Sequence, residues 1–272
     1  MNNEQCVTSN KKRSQSDSKS MQYILPNKYF TDNMVFAEGG SFRMGVAEGT
    51  DSDECPSHTV TLKSFYISKY EVTQKEWKMI MGNNPSYFKG DSLPVESVSW
   101  IDAIVFCNKL SIGKGLIPAY HKQGGSIICD WNADGYRLPT EAEWEFAAKG
   151  GINNSLTTEY SGSNIVGLVA WYDGNSGRKT HPVGAKKPNA LGLYDMSGNV
   201  WEWCWDWYGG YLPEAQTNPK GPDTGVNRVN RGGSWGSAAY GVRSVCRSLN
   251  TPSLRGYIVG LRLARNYVNK TK

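Results

Sequence analysis

Apolar and polar residues alternate in two stretches near the start of the chain. Residues 34–45 alternate on both sides of Gly39 and Gly40, and a glycine pair between two alternating runs predicts a β-hairpin. Residues 58–67 alternate in the same way, which predicts one further strand. The first part of the chain is therefore expected to contain short strands with one buried face.

Three helices are predicted by capping boxes, in which a hydroxyl and an acid three residues later satisfy the free backbone N–H groups of a helix start. The boxes pair Thr73 with Glu76, Ser99 with Asp102, and Thr140 with Glu143. Four apolar residues after the second box are predicted to share one buried helical face; they are Ile101, Ile104, Val105 and Leu110. The third helix is expected to end at Gly150 and Gly151.

The rest of the chain shows no helical pattern after residue 151. Gly, Pro, Asn and Ser recur every few positions there, which is typical of short strands joined by long ordered loops. The polar residues 1–22 are predicted to be disordered. No linker is seen between residues 27 and 265, and residues 23–272 are predicted to form one α+β domain with few helices and small antiparallel sheets.

Composition supports a loop-rich fold held together by large side chains. The 272 residues include 30 Gly and ten Trp, and 39% are apolar, which is enough for a substantial core. The net charge of +5 comes partly from the two ends of the chain, so no nucleic-acid partner is expected. No apolar run is long enough to span a bilayer, and the polar start of the chain has no signal-peptide pattern.

The six cysteines occur singly along the chain, at positions 6, 55, 107, 129, 204 and 246. Without a C-x-x-C pair, the sequence argues against a structural zinc site and against a thioredoxin-like motif. Most of these cysteines are predicted to be free thiols that pack as small apolar residues. The spacing leaves open whether any two form a disulfide.

Six motifs in a fixed order identify a family. They are Gly-Gly-Ser-Phe-Arg-Met-Gly at 39–45, Glu-Val-Thr at 71–73, Pro-Val-Glu-Ser-Val-Ser-Trp at 94–100, Tyr-Arg-Leu-Pro-Thr-Glu-Ala-Glu-Trp-Glu at 136–145, Gly-Leu-Tyr-Asp-Met-Ser-Gly-Asn-Val-Trp-Glu-Trp at 192–203 and Arg-Gly-Gly-Ser-Trp at 231–235. Together they resemble the formylglycine-generating-enzyme (sulfatase-modifying factor) family over about residues 30–265. The resemblance implies a loop-rich, C-type-lectin-like fold whose C-terminal sheet carries the ligand or substrate face.

The catalysts of that family oxidise a substrate cysteine with copper held by two cysteines just after the Gly-Gly-Ser-aromatic motif. Here the first position corresponds to Ser237 and the second to Gly241 or Val242, and Cys246 is the only thiol in the stretch. Because Cu(I) requires a pair of soft thiolates, the sequence predicts that this chain is not an oxidase.

Other branches of the family carry out iron-dependent C–S bond formation with a His-and-carboxylate site. The three histidines, His58, His121 and His181, are scattered along this chain. They are therefore predicted to be surface or capping residues rather than metal ligands.

A structural calcium ion is the one cofactor that the resemblance implies. In relatives the Gly-Asn-Val-Trp-Glu-Trp turn binds calcium through oxygen ligands, which here would include Asn199 and Glu202. The alternative is that both side chains only bond the loop backbone. Either role stabilises the scaffold, and no cofactor is expected to be required for function.

A fixed-looking frame surrounds the C-terminal variable region, about residues 236–258. The frame consists of Arg231, Trp235, Arg243, Arg247, Arg255 and Arg262. In a lectin-like fold such arginines can hold an irregular segment by donating to backbone carbonyls. A rigid frame of this kind would let the residues between its members change.

The residues between the frame positions have an unusual composition. From Gly236 to Ile258 there is no Lys, Glu, Gln, Met or Trp, the five types that codons ending in a pyrimidine cannot encode. Diversity-generating retroelements mutate adenines, often in asparagine codons near the C-terminus of lectin-like proteins, and would leave this signature. The stretch is similar to the variable surface lipoproteins that such retroelements diversify in spirochaetes.

Twelve positions are predicted to vary and to face a ligand; they are Gly236, Ser237, Ala238, Tyr240, Gly241, Cys246, Ser248, Leu249, Leu254, Gly256, Tyr257 and Ile258. Tyr240 and Tyr257 are the expected anchors, because tyrosine brings a large amphipathic area at low entropy cost. The alternative for Leu249 and Ile258 is core packing, and for the glycines it is turn geometry.

The leading hypothesis is a non-enzymatic ligand-binding protein at the bacterial surface, anchored as a lipoprotein and monomeric, whose partners are protein ligands. One alternative is a copper-dependent oxidase or a related sulfur-chemistry enzyme of the same family. The other is an undiversified accessory domain of an envelope or secretion system. Sugar binding does not follow from a lectin-like fold alone.

Overall fold

The computed structural model describes residues 33–47, 51–152 and 158–268. The predicted disorder of residues 1–22 falls outside these ranges. Within them the chain forms short strands and few helices, as an α+β fold. The strands are β1 (Met34–Ala37), β2 (Gly40–Met44), β3 (His58–Leu62), β4 (Phe65–Ser68), β5 (Tyr120–Gln123), β6 (Ser126–Cys129), β7 (Tyr136–Arg137), β8 (Trp201–Trp207), β9 (Gln216–Thr217), β10 (Arg228–Arg231), β11 (Arg247–Asn250), β12 (Val259–Leu261) and β13 (Ala264–Asn266).

All three predicted capping boxes begin a helix. The helices are α1 (Gln74–Met81), α2 (Trp100–Gly113) and α3 (Glu141–Ala148). In α1 the backbone N–H of Thr73 donates to the Glu76 carboxylate at 2.8 Å, and the N–H of Glu76 donates back to the Thr73 hydroxyl at 3.2 Å. Both arms of the box are therefore made, and the same holds for the other two helices.

The prediction of no helix after residue 151 is nearly correct. The described chain beyond that point holds one single-turn helix, α4 (Val166–Val169). It also holds a 3₁₀ turn at Ala239–Val242. None of the helices in the described ranges is both long and apolar enough to cross a lipid bilayer.

The predicted hairpin over residues 34–45 is wrong in its pairing. β1 and β2 are both strands, but β1 pairs with β4 and β2 pairs with β3. Gly39 packs so closely on the backbone of Lys63 and Ser64 that a Cβ atom would lie 2.5 Å from the Ser64 nitrogen. The glycine pair therefore lets two segments cross at short distance instead of forming a hairpin turn.

The strand predicted over residues 58–67 is broken at the same crossing. β3 and β4 lie on either side of Lys63 and Ser64 and belong to different sheets. Buried positions alternate within each strand, at 58, 60 and 62 in β3 and at 65 and 67 in β4, so the alternation shifts by one position at the break.

The apolar face predicted for α2 is only half correct. Ile104 and Leu110 are buried, whereas Ile101 is 41% exposed and Val105 is 40% exposed. Ile101 and Val105 lie one turn apart on the outer face, so the helix carries apolar residues on more than one side.

The central sheet has the strand order β11-β10-β8-β12, with β12 parallel to β8 and the other pairs antiparallel. It separates two clusters of buried side chains. Trp203 on β8 packs in one cluster with Trp100, and Cys204 packs in the other with Trp144. Because adjacent residues of a strand point to opposite faces, β8 is covered on both sides, and this rigid sheet carries the segment that follows β10.

Candidate functional site

The candidate site is the segment of residues 236–258, which leaves the central sheet after β10 and returns to it at β12. It passes through the 3₁₀ turn at Ala239–Val242, forms β11 at the edge of the sheet and ends in a loop. β11 is held by pairing with β10, where Leu249 lies opposite Val229. Most of the segment is therefore irregular chain, which is attached to the central sheet through β10 before it, β11 within it and β12 after it.

The structure places the twelve predicted positions as follows. Six are exposed: Gly236, Ala238, Tyr240, Leu249, Leu254 and Tyr257. Five are half-buried: Ser237, Gly241, Ser248, Gly256 and Ile258. Cys246 alone among the twelve is buried.

The expectation that Cys246 faces a ligand is wrong. Arg231 donates to the carbonyls of Val245 and Cys246 at 2.8 and 2.7 Å, which draws this part of the segment against a buried guanidinium. Burial raises the pKa of the Cys246 thiol to about 11. The Cys246 side chain therefore packs in the interior, below the exposed residues of the segment.

Two of the half-buried positions also support the fold. The Ser237 hydroxyl accepts a hydrogen bond from the backbone N–H of Ser234 at 3.0 Å, which shapes the turn after the Gly-Gly-Ser-Trp motif. Ile258 packs against the buried cluster that contains Trp203. Substitution at these two positions would affect the scaffold as well as the surface.

Arg231 and Arg247 each join a buried acid of α3 to backbone carbonyls. Arg231 pairs with Glu145, and both side chains are fully buried. Arg247 pairs with both oxygens of Glu141, at 2.6 and 2.8 Å, and donates to the carbonyl of Asp53 at 2.7 Å. The negative charge of Glu141 raises the pKa of Arg247 despite burial, so this cation stays charged inside the protein.

The other four frame residues differ in how they are held. Arg243 pairs with buried Glu54 at 2.7 Å, and Arg262 pairs with buried Glu202 at 2.8 Å. Arg255 differs from the other frame arginines, because its side chain is 58% exposed and pairs with Asp102 on the surface. Trp235 is half-buried.

A loop far away in sequence forms one rim of the site. The Tyr240 hydroxyl donates to the Asp51 carboxylate at 2.8 Å, and the Arg243 guanidinium lies 3.7 Å from the centre of the Tyr240 ring. Asp51 and Tyr240 are 189 residues apart. No local sequence signal could have placed residues 51–54 beside the segment.

An aromatic cluster forms a second rim of the site. Trp235 and Tyr257 stack with ring centres 5.8 Å apart, Phe88 meets Trp235 edge-on at 5.6 Å, and Tyr87 lies 5.9 Å from Tyr257. Sequence reasoning missed Tyr87 and Phe88, because the loop that carries them lies outside the C-terminal stretch.

The two side chains predicted as calcium ligands are occupied by protein donors. Asn199 accepts from the backbone N–H of His181 at 3.0 Å and donates to Glu71 at 2.6 Å. The oxygens of Glu202 accept from Arg262 and from the Trp144 indole. A cation at Glu202 would have to displace a buried guanidinium, so these two residues do not fit a calcium site as arranged.

Asp195 is a buried acid of the same motif that sequence reasoning missed. One carboxylate oxygen accepts from the backbone N–H of Gly184 at 2.6 Å, and the other has no hydrogen-bond partner within the described part of the chain. Burial raises the pKa of this carboxyl to about 6.

The side chains that could hold a catalytic metal are dispersed. Over the described ranges no three His, Cys, Asp or Glu side chains are grouped so that they could hold a metal ion. His58 and His181 bond to the carbonyls of Pro56 and Ser176, and His121 is exposed. The two positions that correspond to the copper ligands are Ser237 and either Gly241 or Val242, and none of these residues carries a thiol.

Comparison with known proteins shows which proteins this chain is similar to. The chaperone protein LppX of Paenibacillus barcinonensis is 41% identical over 244 residues, which cover 78% of this chain and 81% of that protein. The formylglycine-generating enzyme of Thermomonospora curvata is 32% identical over 286 residues, which cover 85% of this chain and 92% of that enzyme.

The structure is similar to that of Treponema denticola variable protein 1, with a TM-score of 0.80 and 38% identity over 86% of this chain and 95% of that one. The predicted resemblance to the formylglycine-generating enzymes and to the variable proteins is therefore confirmed, as is the loop-rich, C-type-lectin-like fold. A family model described as "Sulfatase-modifying factor enzyme 1-like domain" matches residues 24–267. The chain belongs to this family.

Proposed function

We propose that this protein is a non-enzymatic, ligand-binding member of the family, whose ligand face is the segment of residues 236–258 with its two rims. The observation that carries the proposal is the difference in exposure between the predicted variable positions and the frame arginines. Six of the twelve predicted positions are exposed and five are half-buried, while Arg231 and Arg247 are buried and bonded beneath them. A binding face that varies on a fixed scaffold requires this separation.

The absence of enzymatic activity is supported by the donor set at the site. Copper oxidation in this family needs two thiolates after the Gly-Gly-Ser-aromatic motif. Here the first of these positions is Ser237 and the second is Gly241 or Val242. Cys246 is buried, and the raised pKa of its thiol disfavours the thiolate that binds a soft metal.

Diversification by a retroelement and display as a bacterial surface lipoprotein complete the proposal. They are supported by the residue types missing between Gly236 and Ile258 and by the likeness to a solved protein that is itself called a variable protein. The ligands are expected to be proteins, because exposed tyrosines such as Tyr240 and Tyr257 are effective protein-binding anchors.

The coding DNA tests diversification. We expect a near-identical template repeat of the region that encodes residues 236–258 beside a reverse transcriptase gene. The differences between the two copies should fall at adenines of the template. A locus without a template repeat, or with differences spread over all four bases, would remove this part of the proposal and would favour the undiversified accessory domain.

Copper titration tests the absence of oxidase chemistry. In competition with a Cu(I) chelator, the wild-type protein and Cys246→Ser should bind copper equally weakly, and neither should consume oxygen with a cysteine-containing peptide. Stoichiometric copper binding that is lost in Cys246→Ser, together with turnover, would contradict the proposal.

A further inference from the structure

We propose that a cleft separate from the variable segment binds a sugar that carries a carboxylate. The cleft has a volume of about 960 Å³, which lies within the range of small-molecule sites, roughly 300–1,000 Å³. It is lined by the junction of β3 and β4, the β5–β6 hairpin, the loop after β9 and residues 266–268. None of the described residues that line it falls within 236–258, so this second site goes beyond the proposed ligand face.

The walls of the cleft are held in a fixed arrangement. The backbone N–H of Lys63 donates to the Asn218 side-chain oxygen at 2.7 Å, and the backbone N–H of Asn218 donates to the Thr61 carbonyl at 2.9 Å. These bonds join the β3–β4 junction to the loop after β9. The Lys220 ammonium of that loop lies 4.6 Å from the centre of the Trp131 ring, a cation–π contact that positions the charge. A preorganised site loses little conformational entropy when it binds a ligand.

The charges that remain available in the cleft are mostly positive. Within the described ranges, neither the Lys63 nor the Lys220 ammonium has an ion pair or a hydrogen bond. The lining acid Glu143 is neutralised, because its two oxygens accept from the buried Arg137 at 2.6 and 2.7 Å. Asp130 is the lining acid without a cation partner among the described residues. A negatively charged ligand would therefore gain two ammonium partners.

The groups that typically bind phosphate are already used here. The guanidinium fork of Arg137 is committed to Glu143. At the start of α3, the backbone N–H of Glu143 donates to the Thr140 hydroxyl at 3.2 Å, and that of Glu141 donates to Asp206 at 2.8 Å. Phosphate is typically bound by such forks and by free N–H groups at helix starts, whereas a lysine ammonium is a point charge that one carboxylate can use. The cleft therefore favours a carboxylate.

The cleft also offers partners for hydroxyl groups. One Asp130 oxygen accepts from the backbone N–H of Asn132 at 2.9 Å, and the other has no hydrogen-bond partner in the described part of the chain. That oxygen repels a ligand with only negative groups, but it accepts from a ligand that also has hydroxyls. The amides of Gln123 and Asn132 line the cleft, and exposed Tyr267 and Val268 add apolar surface. A sugar ring with a carboxylate combines the matching features, which are negative charge, hydroxyls and an apolar C–H face.

Isothermal titration calorimetry of the full chain with tri-galacturonic acid tests the proposal. We expect saturable binding with one site per chain, and a loss of at least about fivefold in affinity in Lys220→Met and in Lys63→Met, because each change removes a charged donor to a carboxylate. Lys109→Met is the matched control, since Lys109 is an exposed lysine of α2 that does not line the cleft. This variant should bind as the wild-type protein does.

Two further ligands separate the contribution of charge from that of the hydroxyls. The methyl ester of tri-galacturonic acid keeps the hydroxyls without the charge, and tri-glutamate carries carboxylates on a peptide without hydroxyls. Both should bind at least about tenfold more weakly than tri-galacturonic acid. Asp130→Asn removes the acid and keeps an oxygen for the N–H of Asn132, so it should reduce the difference between tri-galacturonic acid and tri-glutamate.

Five results would overturn the inference. They are no binding of tri-galacturonic acid, equal binding of its methyl ester, unchanged affinity in either lysine variant, an unchanged preference over tri-glutamate in Asp130→Asn, and equal or tighter binding of tri-glutamate or inorganic phosphate. Thermal melts confirm that the variants fold, which is expected because both lysines are exposed. Failure of the proposed function is read separately, from the template repeat and the copper titration, neither of which involves this cleft.

Discussion

Buried charge is the main residue-scale feature of this protein. Arg231 and Glu145 are both fully buried and are paired with each other, as are Arg262 and Glu202. Each arginine also donates to backbone carbonyls, so its planar guanidinium has many of its hydrogen bonds satisfied. Removal of one partner would leave an uncompensated charge in the interior, which typically costs about 3–5 kcal/mol.

Asp195 is a buried acid that pairs with no arginine in this way, and one of its oxygens has no hydrogen-bond partner within the described residues. Its pKa is raised from 3.8 to about 6 by burial. Between these values the folded state binds more protons than the unfolded state, so stability falls as the pH rises. The full effect is about 3 kcal/mol, since one unit of pKa corresponds to about 1.4 kcal/mol.

We therefore expect Asp195→Asn to be more stable than the wild-type protein at pH 7, by about 1–3 kcal/mol, with a smaller difference near pH 4. Asparagine can also adopt the positive φ of 57° found at this position. Thermal or urea melts at several pH values measure the difference. Asp223→Asn, at an exposed acid, is the control, and a difference between wild type and Asp195→Asn that does not change with pH would contradict the prediction.

At the scale of elements, local signals were predictable from the sequence and pairing was not. A capping box acts within three residues, so Thr73, Ser99 and Thr140 could be identified as helix starts from sequence alone. The partner of β1 depends instead on where Phe65–Ser68 lies in the fold, and the crossing at Gly39 involves a backbone more than twenty residues away. Strand order is decided by such long-range contacts.

The candidate site shows the same difference between local sequence signals and long-range contacts. The segment of residues 236–258 could be located from its composition and from the frame around it, because both are written in contiguous sequence. Asp51 and Tyr87 reach the site only through the fold. The burial of Cys246 was also unpredictable, since it follows from hydrogen bonds that Arg231 makes to the segment's own carbonyls.

Frame and variable positions should respond differently to substitution. We expect the triple change Leu249→Ser, Leu254→Ser and Tyr257→Ser to lower the free energy of unfolding by no more than about 1.5 kcal/mol, because exposed substitutions typically stay within about 0.5 kcal/mol each. Arg247→Ala should cost about 3–5 kcal/mol, because it removes the guanidinium that pairs with both oxygens of buried Glu141 and leaves only the more distant Arg231 Nε, 3.8 Å away, among the described cations. Urea denaturation measures both, and a triple variant as unstable as Arg247→Ala would show that the segment belongs to the core.

At the scale of the whole molecule, the hydrogen bonds that hold the candidate site join residues far apart in the sequence. Arg247 donates to Asp53, which is 194 residues away, and Arg262 donates to Ser68 at the same separation. The central sheet lies between two buried clusters, and Trp203 and Cys204 on β8 face one cluster each. The proposed ligand face therefore depends on contacts made along the whole described chain, and binding experiments require the intact protein.

The buried thiols give a test of the whole fold. Cys107, Cys129, Cys204 and Cys246 are buried free thiols, and Cys55 is half-buried. Burial raises the pKa of Cys129 to about 12 and that of Cys246 to about 11, so at pH 8 few of these thiols are ionised, and the thiolate is the reactive form.

In the native protein at pH 8 we expect a disulfide-exchange reagent such as Ellman's reagent to label the four buried thiols slowly, at rates set by opening of the fold. All six cysteines of the sequence should react at once in concentrated guanidinium. Cys55→Ser should remove one thiol from the fast phase and leave the slow phase unchanged, and a reductant should leave the melting temperature unchanged because the five described cysteines form no disulfide. Rapid native labelling of Cys246, located by peptide mass mapping, would place that thiol on the ligand face after all and would contradict the frame described above.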